Sequence, residues 1–321
     1  RIMVTVERRY CMKYVQYINS LLKEHLSNEP DVVLFGQNID AGSCLSGLTR
    51  GLSASNKGLT LNTQNSENSL VGVGFGLMLN DVSSVFFMKQ MDFLLLGIDQ
   101  LVNTYNVIRQ TKPSASFTIF PVTVDSGYEG PQSSLNNFDD FCSIAGIEGY
   151  SFTNKVDAAN IISNHLTKPG FRILSTGQRL LQKEVLDLES MYQDENCNYF
   201  QYKKGNDVTI VCFNNSLPYG LELYNLMRES SIASSLFSVN SHLHVNYSRI
   251  LDDIKNSKKL ILIDDTKSRN RLSDRFLADV LNACTLKNKI IISRTTTNES
   301  FYPCKDELDI DYNKIINDIT S

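Results

Sequence analysis

The sequence predicts an α/β protein of two doubly wound domains, each built on a mainly parallel sheet. Three observations carry this. The chain has 321 residues, beyond the usual single-domain range of about 100 to 200. Short apolar, β-branched runs alternate with helical periodicity along its length, which is the pattern of βαβ units. The alternation lapses once, between Leu186 and Asn206, in the polar stretch LDLESMYQDENCNYFQYKKGN. The expected organisation is a first domain over 1–185, a linker over 186–206 and a second domain over 207–321.

In the first domain, Tyr14, Val15, Ile18, Leu21, Leu22 and Leu26 recur at helical spacing and predict a helix from Tyr10 to Leu26. DVVLFG (Asp31–Gly36) reads as a strand buried on both faces, ending at a glycine. A Gly/Ser-rich loop over 38–58 precedes a short strand at Leu59–Asn62. Ser66 is a suitable N-cap for a helix Glu67–Leu79 that is apolar all round and therefore expected to be buried. Strand Ser83–Phe87 leads to a helix beginning near Asp92, with Leu94, Ile98, Leu101, Val102, Tyr105 and Ile108 on one face. Strand Ser116–Val124, the loop Asp125–Ser134, helix Phe138–Ile144, strand Gly149–Phe152, helix Lys155–Leu166 and strand Phe171–Leu174 complete it. The second domain repeats the alternation, from strand Val208–Phe213 to a last helix Tyr312–Ile319.

Composition bounds the function. With 31 basic against 35 acidic residues, no basic field speaks for nucleic acid or an anionic membrane. The seven cysteines show no CxxC spacing and no disulfide framework, as in free thiols of a reducing cytoplasm. The apolar run Phe93–Ile98 falls far short of the roughly 20 residues that span a bilayer, and RIMVTVERRY lacks the apolar stretch of a signal peptide. The expectation is a soluble cytoplasmic protein. The four histidines form no zinc pattern, and neither a nucleotide-binding glycine loop nor a Ser–His–Asp arrangement is readable. GVGFG (Gly72–Gly76) lies inside a helix rather than at its start, so it is discounted as a phosphate loop.

Glu67 and Phe93 are the candidate site. An acidic residue in a first helical turn is favoured by the dipole by about 0.3 to 1 kcal/mol, so Glu67 reads equally as a capping acid. It also lies just beyond the carboxyl end of a strand, where open parallel sheets bind ligands.

The order SE-x4-G-x-G-x-G from Ser66, then FM, DFLLLGIDQLVN, GPQSSL and a second domain opening DVTIV, resembles the β subunit of the thiamine-diphosphate-dependent decarboxylating component of 2-oxo acid dehydrogenase complexes, in the transketolase superfamily. The resemblance covers nearly the whole chain and is most specific over Asn65–Gly76 and Asp92–Asn103. It implies a transketolase-like pyrimidine-binding domain followed by a transketolase C-terminal-like domain. Thiamine diphosphate would be the cofactor, with Glu67 bonding a ring nitrogen of its aminopyrimidine and Phe93 against the ring. Gln37 and Gln132 would stand where the family has a glutamate and a histidine, and Gln132 cannot shuttle a proton near neutral pH. The family's GDG motif for Mg²⁺ and diphosphate does not occur in this chain. The resemblance therefore implies an α-type partner subunit that holds both, in an α2β2 heterotetramer or around a homodimer core. Three readings stand: a β chain acting on a 2-oxo acid, a split transketolase-like subunit moving a two-carbon unit, and a catalytically silent assembly or regulatory subunit.

Overall fold

A computed structural model of the chain describes residues 12–29, 31–52, 58–126, 135–294 and 307–320. The first helix, α1 (Tyr14–Asn28), turns its stripe of Tyr14, Val15, Ile18, Leu22 and Leu26 inward. Its N-terminal turn is held by the Tyr14 hydroxyl, which donates to the Phe152 carbonyl at 2.6 Å. The chain then runs through β1 (Val33–Gly36), β2 (Leu59–Asn62), α2 (Glu67–Leu79) and β3 (Ser84–Met88). After a tightly wound segment it continues through α3 (Tyr105–Ile108), β4 (Ser116–Thr123), α4 (Phe138–Ala145), β5 (Glu148–Ser151), α5 (Lys155–His165) and β6 (Gly170–Gly177). The six strands form one parallel sheet in the order β2-β1-β3-β4-β6-β5. Every residue of β3 and β4 is buried, as helices on both faces require.

The second sheet follows the same logic with one addition. Its strands are β7 (Tyr192–Gln193), β8 (Tyr199–Lys203), β9 (Val208–Phe213), β10 (Ser234–Val239), β11 (Lys259–Asp264) and β12 (Asn288–Ser293). Their order is β12-β11-β9-β10-β8-β7, parallel from β12 to β10, with β8 and β7 antiparallel. Helices α6 (Leu217–Glu229), α7 (Ser248–Ser257), α8 (Leu272–Ala283) and α9 (Tyr312–Thr320) accompany it. The 186–206 stretch, expected as a linker, thus contributes two strands to this sheet. Tyr199, Phe200 and Tyr202 are its buried anchors.

Three apolar clusters hold the layers. One passes without a break from Tyr14 on α1 and Leu34 and Phe120 on the first sheet to Phe200 and Ile210 on the second and Leu223 on α6. A second fills the opposite face of the first sheet, where Phe35, Phe75, Phe86, Phe117 and Phe171 stack and meet edge-on. The third lies between the outer face of the second sheet and α7 and α8.

Two local expectations change. Helix α2 buries only Val71, Gly74, Phe75 and Met78, while Val73 is 49% and Leu79 45% exposed. A crossover helix covers its sheet with one face, and among the described residues nothing covers the other. Gly74 makes the close approach: a Cβ there would sit 2.2 Å from the Phe117 ring, whereas nothing lies within 4 Å of Gly76. The helix expected from Asp92 is also wound unevenly, as a 3-10 segment over Met91–Gly97, a π segment over Gln100–Thr104 and only then α3. No helix among the described residues is long and apolar enough to cross a membrane.

Candidate functional site

The carboxyl edge of the first sheet gathers three of the four residues singled out from the sequence. Strand β1 ends at Gly36, whose φ of +150° and lack of a side chain let it lie against β3: a Cβ would be 2.2 Å from the Phe87 carbonyl oxygen. Gln37 follows at once and is exposed. The Gly36 carbonyl accepts from Thr63 N at 3.0 Å, which brings the end of β2 alongside. Asn62 Oδ1 there accepts from Asp40 N at 3.0 Å, pinning the loop after β1.

From Thr63 the chain turns into α2, whose first residue is Glu67. Ser66 occupies the N-cap position without capping through its side chain; its hydroxyl bonds the Ser69 hydroxyl instead, at 3.0 Å. The free N–H groups of that turn and the helix dipole favour the Glu67 carboxylate where it is. Glu67 is half-buried, and no hydrogen bond from its carboxylate to another described residue is formed. The 3-10 segment Met91–Gly97 packs on this turn through Gly97, where a Cβ would be 3.0 Å from Val71 Cγ2 and 3.5 Å from the Glu67 carbonyl oxygen. Phe93, in the same segment, is half-buried against the aromatic cluster. Asp92 beside it is 3% exposed, and its Oδ1 accepts from Leu135 N at 3.3 Å. Gln37, Glu67 and Phe93 therefore stand on neighbouring connections at one edge. Gln132 lies outside the described residues.

The edge combines three features. It supplies a carboxylate at a helix N-terminus, an aromatic side chain and a buried Thr63 hydroxyl with no partner among the described residues. No group of three or more His, Cys, Asp or Glu side chains among the described residues is arranged to hold a metal ion.

A second polar centre, unread in the sequence, lies where the two sheets' carboxyl edges meet. Arg179, just after β6, donates to Asp265 Oδ2 at 2.5 Å and stands 3.8 Å from Asp125 Oδ2; both carboxylates are wholly buried. Burial alone would lower the basicity of Arg179, but Asp265 and Asp125 outweigh it and hold the guanidinium above its ordinary range. Asp265 Oδ1 also accepts from Asn214 Nδ2 and Asn215 N, each at 3.0 Å. Asn214 Nδ2 reaches Asn136 Oδ1 at 3.0 Å. Gly177 is needed here, since a Cβ would be 2.5 Å from Asp125 Oδ2. Asn215 and Asp265 both follow strand ends in the sequence, but nothing in it shows that they meet Arg179.

A two-domain α/β chain with mainly parallel six-stranded sheets and its candidate site on the first sheet's carboxyl edge is of the transketolase-like fold class. A split-gene transketolase, solved as an inactive β4 tetramer, superposes with a TM-score of 0.63 at 12% identity, over 95% of this chain and 96% of that one. The transketolase of Campylobacter jejuni gives 0.66 at 11% identity, over 94% of this chain and 44% of that longer one. In sequence, the chain is 18% identical to the pyruvate dehydrogenase E1 component subunit beta of Staphylococcus aureus over 301 residues, 91% of each chain. It is 22% identical to that of Staurastrum punctulatum over 251 residues, 76% of each. No family model matches.

Proposed function

We propose that this chain is the pyrimidine-binding β subunit of a heteromeric thiamine-diphosphate enzyme that decarboxylates a 2-oxo acid or transfers the resulting unit. The observation that carries this reading is the convergence of Gln37, Glu67 and Phe93 at one sheet edge, with the Glu67 carboxylate at the mouth of α2. When bound, the cofactor supplies the electron sink that such decarboxylation needs. Glu67 would share a proton, held at a carboxyl oxygen, with a pyrimidine ring nitrogen. Phe93 would offer its ring for stacking, which contributes about 0.5 to 1.5 kcal/mol beyond burial and fixes the plane of the pyrimidine. Gln37 would offer an amide that both donates and accepts but cannot exchange a proton.

Diphosphate and Mg²⁺ would be held by an α-type partner. The names of the relatives support a divided enzyme: a β subunit in one case, a split-gene transketolase in the other. The near end-to-end match to a β chain solved as an inactive tetramer supports inactivity in isolation and keeps a split transketolase-like role as the second reading.

The test is reconstitution of this chain with the product of a neighbouring reading frame that carries a GDG…N motif. Glu67→Gln should retain assembly and lower kcat by about 10²- to 10⁴-fold, the share of a positioned proton-transfer group. Activity unchanged in Glu67→Ala would remove the catalytic reading and leave a silent subunit. Acceptance of a lipoyl group or of an aldose separates the two catalytic readings.

A further inference from the structure

The histidine that follows β10 joins the two halves through a Ser–His–Asp array. His242 Nδ1 stands 2.6 Å from Asp139 Oδ1 on α4, and Nε2 stands 2.9 Å from Ser151 Oγ at the end of β5. Ser151 Oγ also lies 3.3 Å from the carbonyl oxygen of Asn214, just after β9. The other Asp139 oxygen accepts from Leu272 N at 3.1 Å, and the Phe138 ring lies on the imidazole with centroids 3.9 Å apart. The spacing is that of a hydrolytic triad, but such a serine must be reached by a substrate carbonyl, and Ser151 is 1% exposed. The array sits on a seam instead. Ser151 N donates to the Asn240 carbonyl at 2.9 Å and His242 N to the Gly149 carbonyl at 2.8 Å, around an antiparallel bridge between Tyr150 and Ser241.

A count of protons gives this arrangement two states. The Ser151 hydroxyl has one proton and two acceptors within reach, His242 Nε2 and the Asn214 carbonyl. With a neutral ring, Nδ1–H donates to Asp139, Nε2 takes the hydroxyl proton, and Ser151 gives nothing to Asn214. With both ring nitrogens protonated, Nε2–H donates to Ser151 Oγ and the hydroxyl turns to Asn214. One added proton thus makes one more hydrogen bond between the halves and a charge-assisted bond to Asp139, with no heavy atom moved. Imidazole is the side chain that ordinarily takes such a proton between about pH 5 and 8.

We infer that Ser151, His242 and Asp139 form a proton-operated latch between the two halves of the chain, tighter when His242 is protonated. The other titratable groups around it come from each packed element. On α4 these are Asp140 beside Asp139, and Cys142, whose thiol burial keeps protonated. At the end of β11 stands Asp264, which burial and then Asp139 push up to about 7. Ahead of α7 is Tyr247, held above the ordinary phenol range by burial. His244, two residues on, pairs with Asp279 outside this pocket at 2.6 Å.

Amide exchange at Ser151 and His242 in the full chain, corrected for its intrinsic pH dependence, reads the latch directly. Taken relative to core amides of β3 and β4, which report the pH dependence of global stability, protection should rise about fivefold or more between pH 8 and 5.5, the effect of one added hydrogen bond. His242→Gln, which cannot take the proton, and Ser151→Ala, which cannot redirect it, should each abolish the rise. Asp157→Asn and Asp264→Asn remove neighbouring carboxylates that titrate in the same range, and should keep it. A flat corrected profile in the unsubstituted chain overturns the inference, whether or not the variants fold, and so does a rise that persists in His242→Gln.

Discussion

Arg179 shows how a single side chain can hold a buried charge centre together. It faces two wholly buried carboxylates, Asp125 and Asp265, one from each half of the chain. Removing one partner of a buried pair leaves the others uncompensated, at a cost of about 3 to 5 kcal/mol. Arg179→Met should lose about that much in chemical denaturation, and an unchanged midpoint would show that the carboxylates are neutralised some other way. Sequence order hides such a centre, because its members are strand-end residues far apart in the chain. The same holds for His242, which lies 103 residues from Asp139 and 91 from Ser151. The shared edge of Glu67, Phe93 and Gln37 follows from topology instead: each comes within a few residues of a strand end, and a parallel sheet puts those ends side by side.

Among the elements, α2 was legible to the residue. A small polar N-cap position, an acidic first turn and an Asn-Asp exit bound it, and its span is Glu67–Leu79 as expected. Which face it buries was not legible, because an all-apolar helix carries no periodic signal. The structure separates its glycines by function. Gly74→Ala forces the Phe117 ring to shift and should cost about 1 to 3 kcal/mol. Gly76→Ala meets nothing within 4 Å and should stabilise the isolated chain by up to about 1 kcal/mol through helix propensity alone. Thermal denaturation of the two variants checks both signs; equal shifts would mean that α2 packs otherwise. The uneven winding after Met91 was also beyond the sequence, since the alternating spacing of four and three among Leu94, Ile98, Leu101, Tyr105 and Ile108 reads as a regular α-helix. Gly97 against Val71 is the contact that brings the 3-10 segment onto α2.

The molecule as a whole shares one apolar cluster between its sheets and buries carboxylates along the junction. Asp157 accepts from the backbone of Thr153 and Asn154 in the first half, and from the Tyr202 hydroxyl and Asn240 amide in the second. Burial nonetheless pushes it up to about 6, and Asp264 to about 7. For a carboxyl raised above its ordinary value, the folded state binds the proton more tightly than the unfolded chain. Its contribution is greatest below about pH 4 and declines as pH rises through the folded value. These two groups should therefore lower stability as pH rises from about 4 to 7, the interval in which the unfolded chain has released protons that the folded chain still holds. The melting temperature should fall over the same interval. In Asp157→Asn the slope should shrink; a slope that stays the same would assign it to other groups.

The position of β8 bears on how the chain is made. Its pairing partner in the body of the sheet is β10, and the residue pairs join Tyr199–Lys203 to the stretch Leu236–Val239. During synthesis β8 leaves the ribosome ahead of β10. Over that interval the only strand paired with β8 is the two-residue β7, and a lone hairpin is marginal in water. The chain is then most exposed to mispairing and to capture by chaperones, and β10 closes that window.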